Sequence, residues 1–256
     1  LDGWPMEFTP TLTDSPLARI HYLIRAKDVA PRSIEVSALE ARVVQIAQRW
    51  EDDCKQSLLQ IHGEGAGLQL AVRYADGFSA AYQEDFSGVM AAGDVQVLST
   101  LSADAPMAVR LYRPIDGAAG VLRFKIYSTA KVALSDSLPV LERMGVRVLD
   151  ERPYPVSQNG NGAQPSELWI HDLGLQLASS VDLPVVQERF ESLFVQAWRS
   201  ELDSDELNKL VLVTTLDARA IAVLRAYTRY FKQLGFAYSP SYLAETLYKN
   251  ASLAQD

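Results

Sequence analysis

The chain has 256 residues, enough for one large domain or two small ones, with 48% hydrophobic and 22% charged residues as in ordinary soluble globular proteins. A net charge of -8 argues against nonspecific nucleic-acid binding, which needs a cationic surface. No apolar run approaches the roughly 20 residues that span a bilayer, so no membrane partner is expected.

Residues 1–27 read as β. Met6, Phe8, Thr9 and Leu12 precede a Thr13-Asp14-Ser15-Pro16 turn, and Leu17, Arg19, His21, Leu23 and Arg25 then alternate with Ala18, Ile20, Tyr22 and Ile24. Such a pair is too small to be stable alone, so it is either the tail of a preceding sheet or a pair added to another sheet. Residues 30–33 form a polar joint. Over 34–61, Leu39, Val43, Ile46, Trp50, Leu58 and Ile61 recur at spacings of three and four, which predicts one long amphipathic helix ending at Gly63, Gly65 and Gly67. Shorter helices follow over 68–74, 79–85 and 89–101, the last two introduced by Asp76-Gly77 and Ser87-Gly88.

Residues 107–113 alternate, 114–120 form a Pro/Gly turn, and Val121 opens the second arm of a hairpin. In that arm Val121, Arg123, Lys125 and Tyr127 point one way and Leu122, Phe124 and Ile126 the other, as in a strand with one wet face. Ser135 or Ser137 caps the next helix, with Pro139 in its first turn and Leu134, Leu138, Leu141 and Met144 at helical spacing before Gly145 stops it. A strand with Val146, Val148 and Tyr154 on one face follows. Residues 157–165 make a Gly/Asn/Gln loop, and Leu168, Ile170, Leu173 and Leu175 mark the next strand. Strand, loop, helix, Gly, strand is a split βαβ opening of the ferredoxin-like type. No strand signal follows the next helix, so the arm at 107–113 is expected in the place of the last strand. The fold class is then α+β, a permuted four-stranded antiparallel sheet flanked by helical segments.

From Asp182 onward the pattern is helical. Leu183-Pro184 starts a helix with Val186, Phe190, Leu193, Phe194, Ala197 and Trp198. Asp203-Ser204-Asp205-Glu206 places carboxylates at the N-terminus of a helix over 207–215. Asp217 opens another, with Ile221, Leu224, Tyr227 and Phe231 on one side, and Ser239-Pro240 starts the last.

The string LRFKIYSTAKVALSDSLPVLERMGVRVLDERPY, with Trp169-Ile170-His171-Asp172, Leu224-Arg225-Ala226-Tyr227 and Ala81-Tyr82-Gln83-Glu84-Asp85-Phe86, resembles the large bacterial NAD-specific glutamate dehydrogenases. Those chains carry ACT-like domains and helical motifs ahead of the catalytic part. The resemblance implies a noncatalytic piece of such an enzyme, with NAD bound by the parent and no cofactor in this piece. Its partners would be the rest of the same chain, further copies in a homo-oligomer and a small amino-acid effector. It also implies a division into the last strands of an upstream ACT-like domain (1–29), a helical motif (30–103), an ACT-like domain (104–180) and a second helical motif (181–256). The chain begins at Leu1 and ends at Ala254-Gln255-Asp256, and reads as an excised fragment. The single Cys54 and the lack of a basic, apolar leader suit a reducing cytoplasm.

Each candidate for chemistry has a plainer reading. The glycines of 63–67 lack the spacing and the preceding strand of a dinucleotide loop and read as a helix break, and Gly160-Asn161-Gly162 precedes a strand. Cys54 and His62 lie about 12 Å apart along a helix, too far for a nucleophile and its base. His171 and Asp172 are neighbours in a strand and face opposite ways, which favours structural roles over a catalytic pair. His21, His62 and His171 show no metal-ligand spacing, so no metal is expected. Glu151-Arg152 reads as a surface patch or interdomain contact, Arg123 and Lys125 as solvated or packed on a neighbouring domain, and Trp198, Tyr227, Tyr230 and Phe231 as core. The resemblance singles out Ser128, Thr129, Ala130, Lys131, Val132 and Ala133, because ACT domains bind small amino acids near this strand-to-helix loop. Free N–H groups at a helix start accept a carboxylate there. The usual glycine of that loop is absent. Two alternatives from other classes are an independent amino-acid-sensing module and an unrecognised hydrolase relying on His171.

Overall fold

The computed structural model describes residues 3–11, 19–26, 35–47, 49–114, 121–159, 167–178 and 181–255, in two compact units, Leu1–Arg49 and Trp50–Asp256. In the first, β1 (Gly3–Thr11) pairs antiparallel with β2 (Arg19–Ala26), with an irregularity between Pro5 and Glu7, and α1 (Val36–Ala47) follows. The turn expected at 13–16 and the joint at 30–33 lie outside the described residues.

The second unit opens with α2 (Trp50–Tyr74), so the single helix expected over 34–61 is two, although no Gly or Pro marks the break. The glycine break is sharper than expected. Gly63 alone takes φ +75° and ψ 172°, a backbone that side chains disfavour, and the helix resumes at once. A Cβ on Gly67 would lie 2.6 Å from the carbonyl oxygen of Leu58, so the second arm folds back along the first. Ser79 and Ser87 cap α3 (Ala80–Asp85) and α4 (Gly88–Leu98) by accepting the N–H groups of Tyr82 and Met90.

The sheet consists of β3 (Met107–Tyr112), β4 (Val121–Ser128), β5 (Val146–Ser157) and β6 (Glu167–Leu177) in the order β3-β4-β6-β5, antiparallel throughout. The arm at 107–112 does occupy the place of the last strand, as the permuted reading expects. Pro153 and Pro155 sit on β5, an edge strand, where a missing N–H is tolerated. Of the expected loops, 115–120 and 160–166 lie outside the described residues.

The crossover helix α5 (Leu134–Arg143) departs from expectation at its start. Ala133 is the N-cap, neither Ser135 nor Ser137 caps it, and Pro139 falls inside the helix. Gly145 ends the turn after it at φ +84°. Next comes α6 (Leu183–Trp198). Residues 206–212 form a 3-10 helix in place of the α-helix expected over 207–215, with Asp205 accepting the N–H of Leu207. Then come α7 (Ala218–Gln233), α8 (Pro240–Lys249) and α9 (Ala251–Gln255), with Asp217 and Ser239 capping α7 and α8.

Both faces of the sheet are covered. Leu122, Phe124 and Ile126 of β4 and Leu173 and Leu175 of β6 pack with Leu141 of α5 and Phe190 and Phe194 of α6. On the opposite face Tyr127, Ile170, Tyr154 and Val156 pack with Leu58, Tyr82, Phe86 and Val95 of the helices α2–α4. The wet face expected on β4 is therefore buried: Lys125 is 3% exposed and Tyr127 fully enclosed. A bulge between Val148 and Asp150 explains a second difference. The extra residue flips the strand, so Val146 joins the α5–α6 side while Tyr154 joins the other.

Candidate functional site

Two groups of polar side chains are organised by the sheet. The first surrounds the strand-to-helix loop. The Ser128 hydroxyl donates to the Ala130 carbonyl at 2.7 Å, and the Thr129 N–H donates to the Pro106 carbonyl at 3.0 Å. The Val132 N–H donates to Nε2 of His171 at 3.1 Å. Nδ1 of His171 lies 2.7 Å from Glu151, so the ring gives its proton to the carboxylate and accepts from the loop. Lys131 lies 5.1 Å from the Trp169 ring centroid. Ser128 and Val132 are buried, Thr129 is half-buried, and Ala130, Lys131 and Ala133 are exposed beside the start of α5. His171 and Asp172 face opposite sides of β6, as a strand requires, and His171 ties a loop in place rather than meeting a nucleophile.

The second group lies between the sheet and the helices α2–α4. Asp94 is the one charged residue of α4, GVMAAGDVQVL, and is 3% exposed. It pairs with Lys125 of β4 and accepts the hydroxyls of Tyr82 and of Tyr127, the latter at 2.7 Å. Lys125 sits 3.9 Å from the Phe86 ring centroid. Burial first, and the Asp94 carboxylate second, hold the phenols of Tyr82 and Tyr127 above their ordinary range, so both remain donors. Beside them Arg123 bridges Asp172 at 2.8 Å and Asp150 at 3.0 Å, and Tyr112 donates to Asp172 at 3.1 Å. Burial pushes the Asp172 carboxyl up, against the pull of Arg123, Lys125 and Tyr112. Lys125 thus packs on a neighbouring helical segment, one of the two expected readings, whereas Arg123 is half-buried and held by Asp172 and Asp150 of the sheet.

Glu151 and Arg152 separate into different roles. Glu151 holds His171, while Arg152 pairs with Asp85 of α3 at 2.6 Å and Tyr154 donates to the same carboxylate. Cys54 is fully buried, and burial first, then Asp53 and Glu51, push its thiol up to about 12, which leaves it unreactive. Among the described residues no group of three or more His, Cys, Asp or Glu is placed to hold a metal, and no helix is long and apolar enough to cross a membrane. The aromatics of α7 are not core. Tyr227, Tyr230 and Phe231 are 58%, 54% and 40% exposed, whereas Trp198 packs partly against the core.

Sequence reasoning missed the Asp94–Lys125 pair and the Glu151–His171–Val132 chain. A lone carboxylate in an otherwise uncharged helix was a readable signal for the first. The second joins positions 20 and 39 residues from His171 and becomes visible only with the sheet order.

An antiparallel sheet in this permuted order, with helical segments before and after it, defines an ACT-type architecture, and four family models agree. They describe glutamate dehydrogenase: its ACT2 domain (residues 1–51), helical motif 2 (57–101), ACT3 domain (106–187) and helical motif 3 (202–256). The chain belongs to the ACT and helical-motif region of the NAD-specific glutamate dehydrogenases. It is 36% identical over 259 residues to the NAD-specific glutamate dehydrogenase of Halomonas elongata, covering 100% of this chain and 16% of that protein. Identity to the Pseudomonas aeruginosa protein of the same name is 34% over 254 residues, 98% of this chain and 15% of that one. For Mycobacterium tuberculosis it is 30% over 269 residues, 96% and 16%. The chain thus spans about 16% of the length of these curated relatives.

Proposed function

We propose that the chain is a noncatalytic regulatory and oligomerisation segment of a large cytoplasmic NAD-dependent glutamate dehydrogenase. The parent would convert L-glutamate, water and NAD to 2-oxoglutarate, ammonia and NADH, with NAD and the reacting groups held elsewhere in the parent. The segment would be organised as 1–29, 30–103, 104–180 and 181–256. One observation carries the assembly role. Tyr227, Tyr230 and Phe231 on α7 and Leu234 at its C-cap recur at spacings of three and four and are 40–58% exposed. Phe236, Tyr238 and Tyr242 follow, each more than half exposed, with Phe236 against Phe231 and Tyr238 stacked on Tyr242. Exposed aromatics gathered along a helix and the turn after it mark contact surfaces, and their occupant here would be another part of the same enzyme assembly. Sedimentation velocity of the full-length enzyme tests this. Tyr227→Ser/Tyr230→Ser/Phe231→Ser is expected to yield smaller particles with unchanged circular dichroism, and an unchanged particle mass contradicts the reading.

A second reading, amino-acid sensing at residues 128–133, draws on the start of α5. No side chain caps it, and Lys131 stands exposed beside it. Calorimetry against a panel of amino acids is expected to give heat that Lys131→Ala abolishes. No heat for any of them removes this reading.

A further inference from the structure

Residues 204–207, α7 and the start of α8 meet the C-terminal end of α5 around a cavity of about 440 Å³. That volume suits a small metabolite. Deep in its wall Arg225 is 3% exposed. Its Nε and Nη2 bind Asp205 at 2.6 and 3.0 Å, and Nη2 also donates to Asn208 at 2.7 Å. Its third nitrogen, Nη1, is buried with no hydrogen-bond partner, and the hydroxyl of Ser204, on the same wall, is buried and equally unpartnered. A buried donor left unsatisfied is destabilising, so two at one cavity call for an acceptor.

The charge around the cavity points the same way. Arg225 is neutralised by Asp205, and Arg229 is held by Asp203 at 2.8 Å. Arg143 and Lys232 also line the cavity and have no ion-pair partner among the described residues; Glu206 is the one further carboxylate on its wall. Pro240 and Ser241, in the first turn of α8, bring the positive end of that ten-residue helix to the cavity.

We propose that this cavity binds a small oxyanion-bearing metabolite, a phosphate ester or a carboxylate. The anion would lie between Arg143, Lys232 and the free guanidinium edge of Arg225, with the Ser204 hydroxyl as a further donor. Leu207, Pro240 and Ala244 give a short apolar wall for its carbon body. The site is separate from the loop at 128–133 and does not depend on the aromatic ridge of α7.

Titration calorimetry of the full-length protein with inorganic phosphate and with malonate, each against chloride at matched ionic strength, tests it. Saturable binding of at least one is expected, weakened roughly tenfold or more in Arg143→Ser/Lys232→Ser. Both residues are exposed, so that variant is expected to keep the parent melting temperature. Phosphate alone would assign a phosphate ester, malonate alone a carboxylate, and both an oxyanion site of either kind. Binding of neither, or binding unchanged in the double variant, overturns the proposal.

Discussion

The two faces of the sheet are buried to a similar degree by different means. Toward α5 and α6 the contact is mainly apolar, with Leu122, Phe124, Ile126, Leu173 and Leu175 against Leu141, Phe190 and Phe194, and with His171 and Glu151 as its polar pair. Toward α2–α4 it mixes aromatic rings with Asp94, Lys125, Arg123 and Asp172. The apolar face joins elements that alternate along one stretch of chain, so burial alone brings them together. The charged face joins the sheet to helices that precede it, and there Asp94 is satisfied by Lys125 and Tyr127 of β4 and by Tyr82 of α3. Hydrophobic contact supplies attraction on both sides, and on one a buried ion pair also ties strand to helix.

The sharpest way to break this contrast is Asp94→Ala. It leaves Lys125 buried without a counter-charge and is expected to cost about 3–5 kcal/mol in urea unfolding. Asp94→Leu/Lys125→Met is expected to recover only part of that loss, since no charge is then stranded while the buried Tyr82 and Tyr127 hydroxyls still lack their acceptor; no recovery at all would contradict the stranded charge as the source of the loss. On the apolar face Ile126→Val is expected to cost about 0.5–1.5 kcal/mol, without dependence on ionic strength. The smallest effect concerns pH. The Tyr154 hydrogen bond, then Arg152, hold the Asp85 carboxyl below its ordinary 3.8. A depressed folded value contributes stability that is present above 3.8 and lost as pH falls through the folded value. Asp172 has the opposite sign: its raised value contributes stability at low pH that is lost as pH rises through it. Asp85→Asn is therefore expected to flatten the stability curve below pH 4, measured by thermal melts, and a curve as steep as the parent's would contradict that assignment.

Much of this was legible from residues alone. Alternation placed every strand of the sheet, and the missing strand signal after α6 fixed where β3 must pair. What alternation does not carry is the identity of the layer on each face, so Lys125 looked wet until the helices α2–α4 covered it. One inserted residue after Val148 inverted the face of Tyr154, because period-two patterns have no memory across a bulge. Tyr227, Tyr230 and Phe231 have the spacing of core residues and the exposure of an interface, and spacing alone does not separate the two. The loop at 128–133 was singled out by resemblance alone, whereas its tie to His171 and Glu151 needed the register of β5 against β6.

In the noncatalytic role proposed above, the polar groups of the sheet serve contact and not bond-making. Glutamate-dependent NADH production by the full-length enzyme carrying Asp94→Leu/Lys125→Met, with folding verified by circular dichroism, tests that most directly. Turnover close to that of the parent enzyme is predicted. A fall of roughly 100-fold or more in a folded variant, the size expected for losing a proton-transfer group, would contradict it.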